Sequence, residues 1–389
     1  MRPLFCRAAA SAAPQNRRMN TALLVGLLAL MVLAGAVAWR RREPAPEAPA
    51  TLVPAAASPR AAESDEEPSL LLQEACPQAL ADFRLVHADA LPAERRAAIT
   101  AVFRNIPRPS RLMQHLAAVD LLNEASAARL VELIAAEPVI AGKLLSAVNS
   151  PLYGLQVPVA SVAQAVTFLG LTQVRAICLR YALMQSFAQE APERQAMLDR
   201  VWQGSALACE LAQGMTQALS IRDPGAVGSA VLLSFLGRLA VTATTPTRLL
   251  TATDQPDHLG RTRAEQALLG AAANEVGRLL MRDWALPEPI ITSACDPADW
   301  LVQPVASSDP GHAEALALTY LCARLGERLA SGALPSLQGF DLVGETAADF
   351  FHLRHGLPSA CLSRWAAALR APELSARLGR LQAISFRGY

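Results

Sequence analysis

Apolar residues recur along most of this chain three and four positions apart, the spacing of a single helix face. In "SAARLVELIAAEPVIAGKLLSAV", Leu130 and Ile134 form one stripe, and Ile140, Leu144, Leu145 and Val148 form the next. Pro138 falls at the start of the second helix, where its missing N–H is tolerated. The segment "NSPLYG", Asn149 to Gly154, then reads as a stop: Asn accepts a left-handed conformation at a helix end, and Pro151 forbids continuation. Ser161 and Gln164 have capping-box spacing at the start of the next helix, which Gly170 ends. Val174, Ile177, Cys178 and Tyr181 make a further buried stripe. No run of alternating strand residues interrupts the pattern, and no short repeat is visible. The expected fold class is all-α, a compact multi-helix body.

Two segments depart from this periodicity. "MNTALLVGLLALMVLAGAVAW", Met19 to Trp39, carries no charge and is followed by Arg40, Arg41 and Arg42. At about 1.5 Å of rise per residue it is long enough for a hydrocarbon core of about 30 Å. A secretory signal peptide is a second reading, with Arg17 and Arg18 as its basic region and Ala36-Val37-Ala38 as a cleavage site. Three arginines directly after the cut, and the length of the apolar run, speak for an anchor through Asn20 to Trp39 instead. A buried core helix has nothing adjacent to pack on. If Met19 is the true start, no basic residue precedes the span and three follow it, which places the body on the cytoplasmic side of the inner membrane. Residues 43–69 are Pro- and Ala-rich and turn acidic at Glu63 to Glu67, the composition of an extended tether.

Composition narrows the classes. The chain is 52% hydrophobic and 5% aromatic, which favours Ala/Leu helix over strand. A net charge of +1 implies no overall basic face for phosphate backbones, so no nucleic-acid partner is expected. The seven cysteines are scattered without a C-x-x-C pair, which fits a reducing compartment better than a disulfide framework or a zinc site. His87, His115, His258 and His312 are dispersed, and "DPGH", Asp309 to His312, reads as a turn. His352 and His355 could share a helix face with Asp349 nearby, but two histidines are too few for a metal site. No P-loop, dinucleotide fingerprint or G-x-S-x-G elbow is present.

The stretch from Ala136 to Leu179 resembles the HDOD domain, the HD-related output domain of bacterial signalling proteins. Glu137-Pro138, Asn149-Ser150, Tyr153-Gly154 and Leu169-Gly170 carry the likeness, and Trp284, Leu286 and Pro287 resemble its later Trp-x-Leu-Pro segment. The resemblance implies a helical domain related to the HD phosphohydrolases, which hold divalent metal through a His-Asp pair and further histidines. At the matching positions this chain has Ser234 and Phe235 in "AVLLSFLGRLAV", then Ala273, then Cys295 and Asp296. A phenyl ring or a methyl group cannot ligate a metal, and Ser is a poor ligand for a catalytic ion. The expected outcome is a degenerate site now packed as core, with no catalysis, no metal and no cofactor.

The expected organisation is an N-terminal extension at 1–18, an anchor with its basic flank at 19–42, a linker at 43–69 and a helical lead-in at 70–101. The HDOD-like domain follows at 102–331, with its helical completion, or a small subdomain, at 332–389. The expected role is a membrane-tethered, non-catalytic signalling or scaffolding module that binds a protein partner. Asn149, Ser150, Tyr153, Gly154 and Gly170 are its candidate interaction residues, although the same turn also serves as a helix stop. An atypical metal-dependent phosphohydrolase, and a regulator holding a nucleotide or second messenger in a vestigial pocket, are the alternatives.

Overall fold

Each apolar stripe read along the chain finds a second helix to cover it. The computed structural model describes residues 75–109, 116, 124–187, 191–255, 257–305, 307 and 309–383. The expected anchor, its flanking arginines and the linker lie outside them. Among the described residues there are helices and no strands, and Cys76–Tyr389 forms one compact unit.

The helices are α1 (Ala93–Val102), α2 (Glu124–Ala135), α3 (Pro138–Val148), α4 (Val162–Leu169), α5 (Leu171–Ser186) and α6 (Pro192–Ala218). They continue as α7 (Pro224–Ser234), α8 (Leu236–Thr244), α9 (Thr247–Thr253), α10 (His258–Leu269), α11 (Ala273–Asp283) and α12 (Glu288–Cys295). The last four are α13 (Pro310–Ser331), α14 (Phe351–Gly356), α15 (Ser359–Leu369) and α16 (Pro372–Ala383).

The two longest, α6 and α13, pack along one another and form the spine. Small residues let them meet: a methyl group on Gly326 would lie 2.5 Å from the Gly204 carbonyl oxygen and 2.6 Å from Ala208 Cβ. Helix α7 lies against both, and α15 and α16 pack on α6. There Arg377 pairs with the buried Glu210, and Leu374 covers Gly214. The helical stretch Pro224–Thr244 is long and apolar enough to cross a membrane, but 72% of its most apolar window is buried inside the body. Its hydrophobicity is used by packing.

A second close approach sets the geometry of the site. A methyl group on Gly237 would come within 1.7 Å of the Ala273 carbonyl oxygen, and one on Gly277 within 2.9 Å of Gly237 N. Helix α8 therefore rests directly on the first turn of α11.

Local details match the sequence reading with four differences. Leu130, Ile134, Ile140, Leu144, Val148, Val174, Ile177, Cys178 and Tyr181 are buried as their spacing predicts, while Leu145 is only partly so. Asn149 is not left-handed (φ −83°, ψ 3°); it ends α3 through its side chain instead. Ser161 caps α4 by accepting from Gln164 N at 3.2 Å, but the Gln164 side chain accepts from Ala160 N at 2.8 Å rather than from the capping residue. "DPGH" is a helix start rather than a free turn: Asp309 accepts from Gly311 N at 3.0 Å, and Pro310 begins α13.

The crossing makes a differential prediction. Gly237→Ala has no room and should destabilise by about 3 kcal/mol, the upper range of an overpacked contact. Gly228→Ala, on α7 with nothing within 4 Å of the added carbon, should be neutral or stabilise by about 0.5–1 kcal/mol. Chemical denaturation of the two variants measures the difference, and equal effects would contradict the crossing.

Candidate functional site

Helix α7 ends at Ser234, the chain bends at Phe235, and α8 starts at Leu236. Ser234 turns its hydroxyl back to donate to the Val231 carbonyl at 2.7 Å. Phe235 is 2% exposed, with its ring against the α6–α13 spine where Gly204 leaves space. Ser234, Phe235 and Ala273 line one narrow cavity. They bring to it a hydroxyl, a phenyl ring and a methyl group. Such a set does not fit a divalent ion. Among the described residues, no three His, Cys, Asp or Glu side chains are arranged to hold a metal.

Cys295 and Asp296 do not join that cavity. Cys295 is buried at the end of α12, and burial pushes its thiol up from the ordinary value. Asp296 accepts from Arg278 Nη2 at 2.6 Å, and Arg278 Nε donates to Glu275 at 3.1 Å. Glu275 also accepts from Ala88 N at 2.7 Å and lies 3.6 Å from His87. His87 in turn lies 3.9 Å from Asp299, whose carboxyl is pushed up to about 6, chiefly by burial. These groups staple the lead-in segment to α11.

Charged residues gather on the other side of the cavity. Helix α13 presents Glu327, which pairs with Arg261 of α10, with Arg324 at 2.7 Å and with Arg238 of α8 at 3.9 Å. Although burial works against its charge, Arg261, Arg324 and Arg238 hold the Glu327 carboxyl well below the usual range. His258 is held well below its ordinary value by burial, then by Arg324 and Arg261, so its ring is neutral near pH 7. Glu265 accepts from Ala273 N at 2.9 Å, and burial pushes its carboxyl up. These groups share the cavity with Phe235 and Ala273 and extend from it into an adjoining cleft of about 530 Å³.

The sequence reading left His258 dispersed and did not single out the arginines. Two i, i+3 pairs, His258 with Arg261 and Arg324 with Glu327, were the available signal. Each looks like an ordinary helix-surface pair until the tertiary fold faces α10 toward α13.

The candidate interaction turn lies apart from this cavity. Asn149 donates to the Leu145 and Val159 carbonyls, each at 2.9 Å, and accepts from Val159 N at 2.8 Å, clamping the loop onto α3. Gly154 and Gly170 have positive φ (58° and 79°), the conformation their positions require. Ser150 is buried, and Tyr153 accepts from Gln173 at 3.3 Å while its ring meets Phe168 edge-on, 6.4 Å between centroids. Leu152, Tyr153, Phe168 and Leu169 form the apolar wall of a groove of about 290 Å³, with Arg377 and Arg380 among its other lining residues. Phe168 is 49% exposed, which marks it as available for contact.

His352 and His355 lie on α14. The His355 ring stacks on Phe351 at 4.2 Å, and its Nδ1 lies 2.8 Å from the Phe351 carbonyl. Burial, then His355, lowers the His352 value.

Residues 106–296 match the family model of the HDOD domain, so the chain carries an HDOD domain. Its fold is similar to that of an HDOD domain protein of unknown function from Geobacter sulfurreducens, at 19% identity and TM-score 0.55, over 75% of this chain and 100% of that one. A Shewanella amazonensis SB2B protein named as a phosphohydrolase aligns at 18% identity and TM-score 0.47, over 74% and 98%. The MmoQ response regulator of Methylococcus capsulatus strain Bath aligns at 24% identity and TM-score 0.32, over 67% and 97%. Comparison with curated proteins gives no match.

The packing of Phe235 is directly testable. Phe235→Ala should lower stability by about 3–5 kcal/mol, as other buried aromatic truncations do. Phe235→Asp should cost more, because a carboxylate is buried without a designed partner. Thermal or chemical denaturation reads both, and near-wild-type stability of the Asp variant would contradict this packing.

Proposed function

We propose that this HDOD-domain chain is a membrane-tethered signalling module that binds a protein partner on the cytoplasmic face and does not hydrolyse phosphate esters. The observation that carries the reading is the chemistry of the former ligand positions. Ser234 is turned back onto its own helix, Phe235 is packed into the spine, and Ala273 offers only a methyl group. Hydrolysis by the superfamily's route needs a positioned metal to lower the pKa of an attacking water, and these side chains cannot position one. The domain is then left with its surface as its means of action.

Two features support the rest. The uncharged span Asn20 to Trp39, followed by Arg40, Arg41 and Arg42, supports a tether with the body on the cytoplasmic side. The groove walled by Tyr153 and Phe168, with Arg377 and Arg380 beside it, suits a partner segment carrying an apolar side chain next to acidic ones.

A photo-crosslinking residue at position 168 of the full chain should capture a discrete protein in the membrane fraction. Arg380→Glu in the same chain should reduce that product severalfold. A reporter fused after Tyr389 should be active when it requires cytoplasmic folding and silent when it requires export. Metal-dependent phosphoester turnover by the full chain, an exported reporter, or a crosslink pattern indifferent to Arg380→Glu would count against the reading.

A further inference from the structure

The lead-in segment forms one wall of the cavity that holds Phe235 and Ala273. Leu85 lines it together with Pro297 and Leu301, and Ala88 beside it is fully buried. Most ties that hold the segment down do not change with pH near neutrality. Val86 N donates to Gln266 at 3.0 Å, and Gln266 donates to the Arg84 carbonyl at 3.0 Å. Asp89 pairs with Arg282 at 2.8 Å, and that guanidinium holds its carboxyl below the ordinary value. Glu275 is buried and well satisfied: besides Ala88 N, it accepts from Arg278 at 3.1 Å and from Asn274 at 3.0 Å.

Asp299, on the turn Asp296–Leu301, is not satisfied. Its Oδ1 is buried and accepts no hydrogen bond, and His87 Nε2 of the lead-in stands 3.9 Å away, beyond hydrogen-bond length. An ionised oxygen out of water without a donor is unfavourable, and burial outweighs His87 in setting its carboxyl at about 6. Glu275 and Asp296 act in the same direction as burial, and Arg278, which both of them share, opposes it. The other elements packed on this turn have their charges engaged elsewhere. Glu288 of α12 pairs with Arg282, Glu314 of α13 with Arg364, and Arg324 with Glu327. On α14, His355 stacks on Phe351 with His352 beside it, while Asp349 just before that helix faces Arg324 and Arg328. The Cys295 thiol is pushed up by burial and stays neutral.

We propose that residues 84–89 form a pH-sensitive cover over the cavity beside Phe235, closed in acid and loosened as Asp299 ionises. When the cover lifts, water reaches Asp299 and its carboxyl returns toward the ordinary value of about 4. The closed form therefore holds a proton that the open form releases. The contribution of Asp299 to closure is complete below about pH 4 and is lost as pH rises through about 6. Between pH 5 and pH 7.5 the closed-to-open ratio should fall about tenfold. The device uses no residue of the groove at Tyr153 and Phe168, so either can fail alone.

The test is hydrogen exchange of the detergent-solubilised full chain at several values from pH 5 to pH 7.5, corrected for the intrinsic pH dependence of amide exchange. Protection at Val86 and Ala88 should fall about tenfold over that range, with its midpoint near 6. Amides of α6 around the buried Leu207 are the reference, and their protection should not fall in parallel. Asp299→Asn should hold the Ala88 amide at pH 7.5 near its wild-type protection at pH 5, and His87→Gln should keep the pH dependence. If Asp299→Asn does not fold, the wild-type series still decides. Protection at Ala88 that is constant or rises with pH overturns the proposal, as does a fall shared equally by α6. A dependence kept in a folded Asp299→Asn variant but lost in His87→Gln also overturns it.

Discussion

The contact on which the site depends is the crossing of Gly237 and Gly277. With no side chain at either position, α8 lies on the first turn of α11 at backbone distance. That approach brings Phe235 and Ala273 to one cavity and carries Arg238, one residue past Gly237, to the edge of the neighbouring cleft. The spine of α6 and α13 uses the same device at Gly326, and Phe235 fills the space that Gly204 leaves beside it. Small residues set the helix separations, and the large side chains next to them are positioned as a consequence.

Ser234, Phe235 and Ala273 and the arginine cluster thus form two sides of one cavity. Toward the spine the cavity is lined by Phe235 and Ala273, and packing there is energetically favourable because nothing polar is left to satisfy. Toward α10 and α13 it carries charges that are costly to bury and persist because each guanidinium shares Glu327. The groove at Tyr153 depends on neither side. It is built by a helix stop, with Asn149 tying the loop to α3 and Phe168 left half exposed.

Much of the fold was legible in the chain because helix periodicity is a local signal. The stripes at Ile140, Leu144 and Val148, the Pro138 start and the Gly170 stop all act within a few residues of themselves. Asp309 was misread because Asp-Pro-Gly serves equally as a turn or as a cap followed by a first helical turn, and the following helix decides between them. That Ser234, Phe235 and Ala273 present a hydroxyl, a phenyl ring and a methyl group was also visible, since it follows from residue type. What the sequence could not reveal is the meeting of Arg238, Arg261, Arg324 and Glu327. They lie up to 89 positions apart (238 to 327), and only the tertiary packing makes them neighbours. Cys295 and Asp296 were aligned with the same site by pattern, yet the end of α12 turns Asp296 to Arg278 instead.

The central claim is that the cavity at the Gly237–Gly277 crossing has exchanged ligand chemistry for packing. The most direct measurement is elemental analysis of the purified full chain after growth with manganese, iron, zinc and magnesium supplied, without chelator in the buffers. The account predicts that none of these metals accompanies the protein in stoichiometric amount. One bound metal per chain, lost when Phe235 or Ala273 is replaced by a bulkier apolar residue, would contradict it.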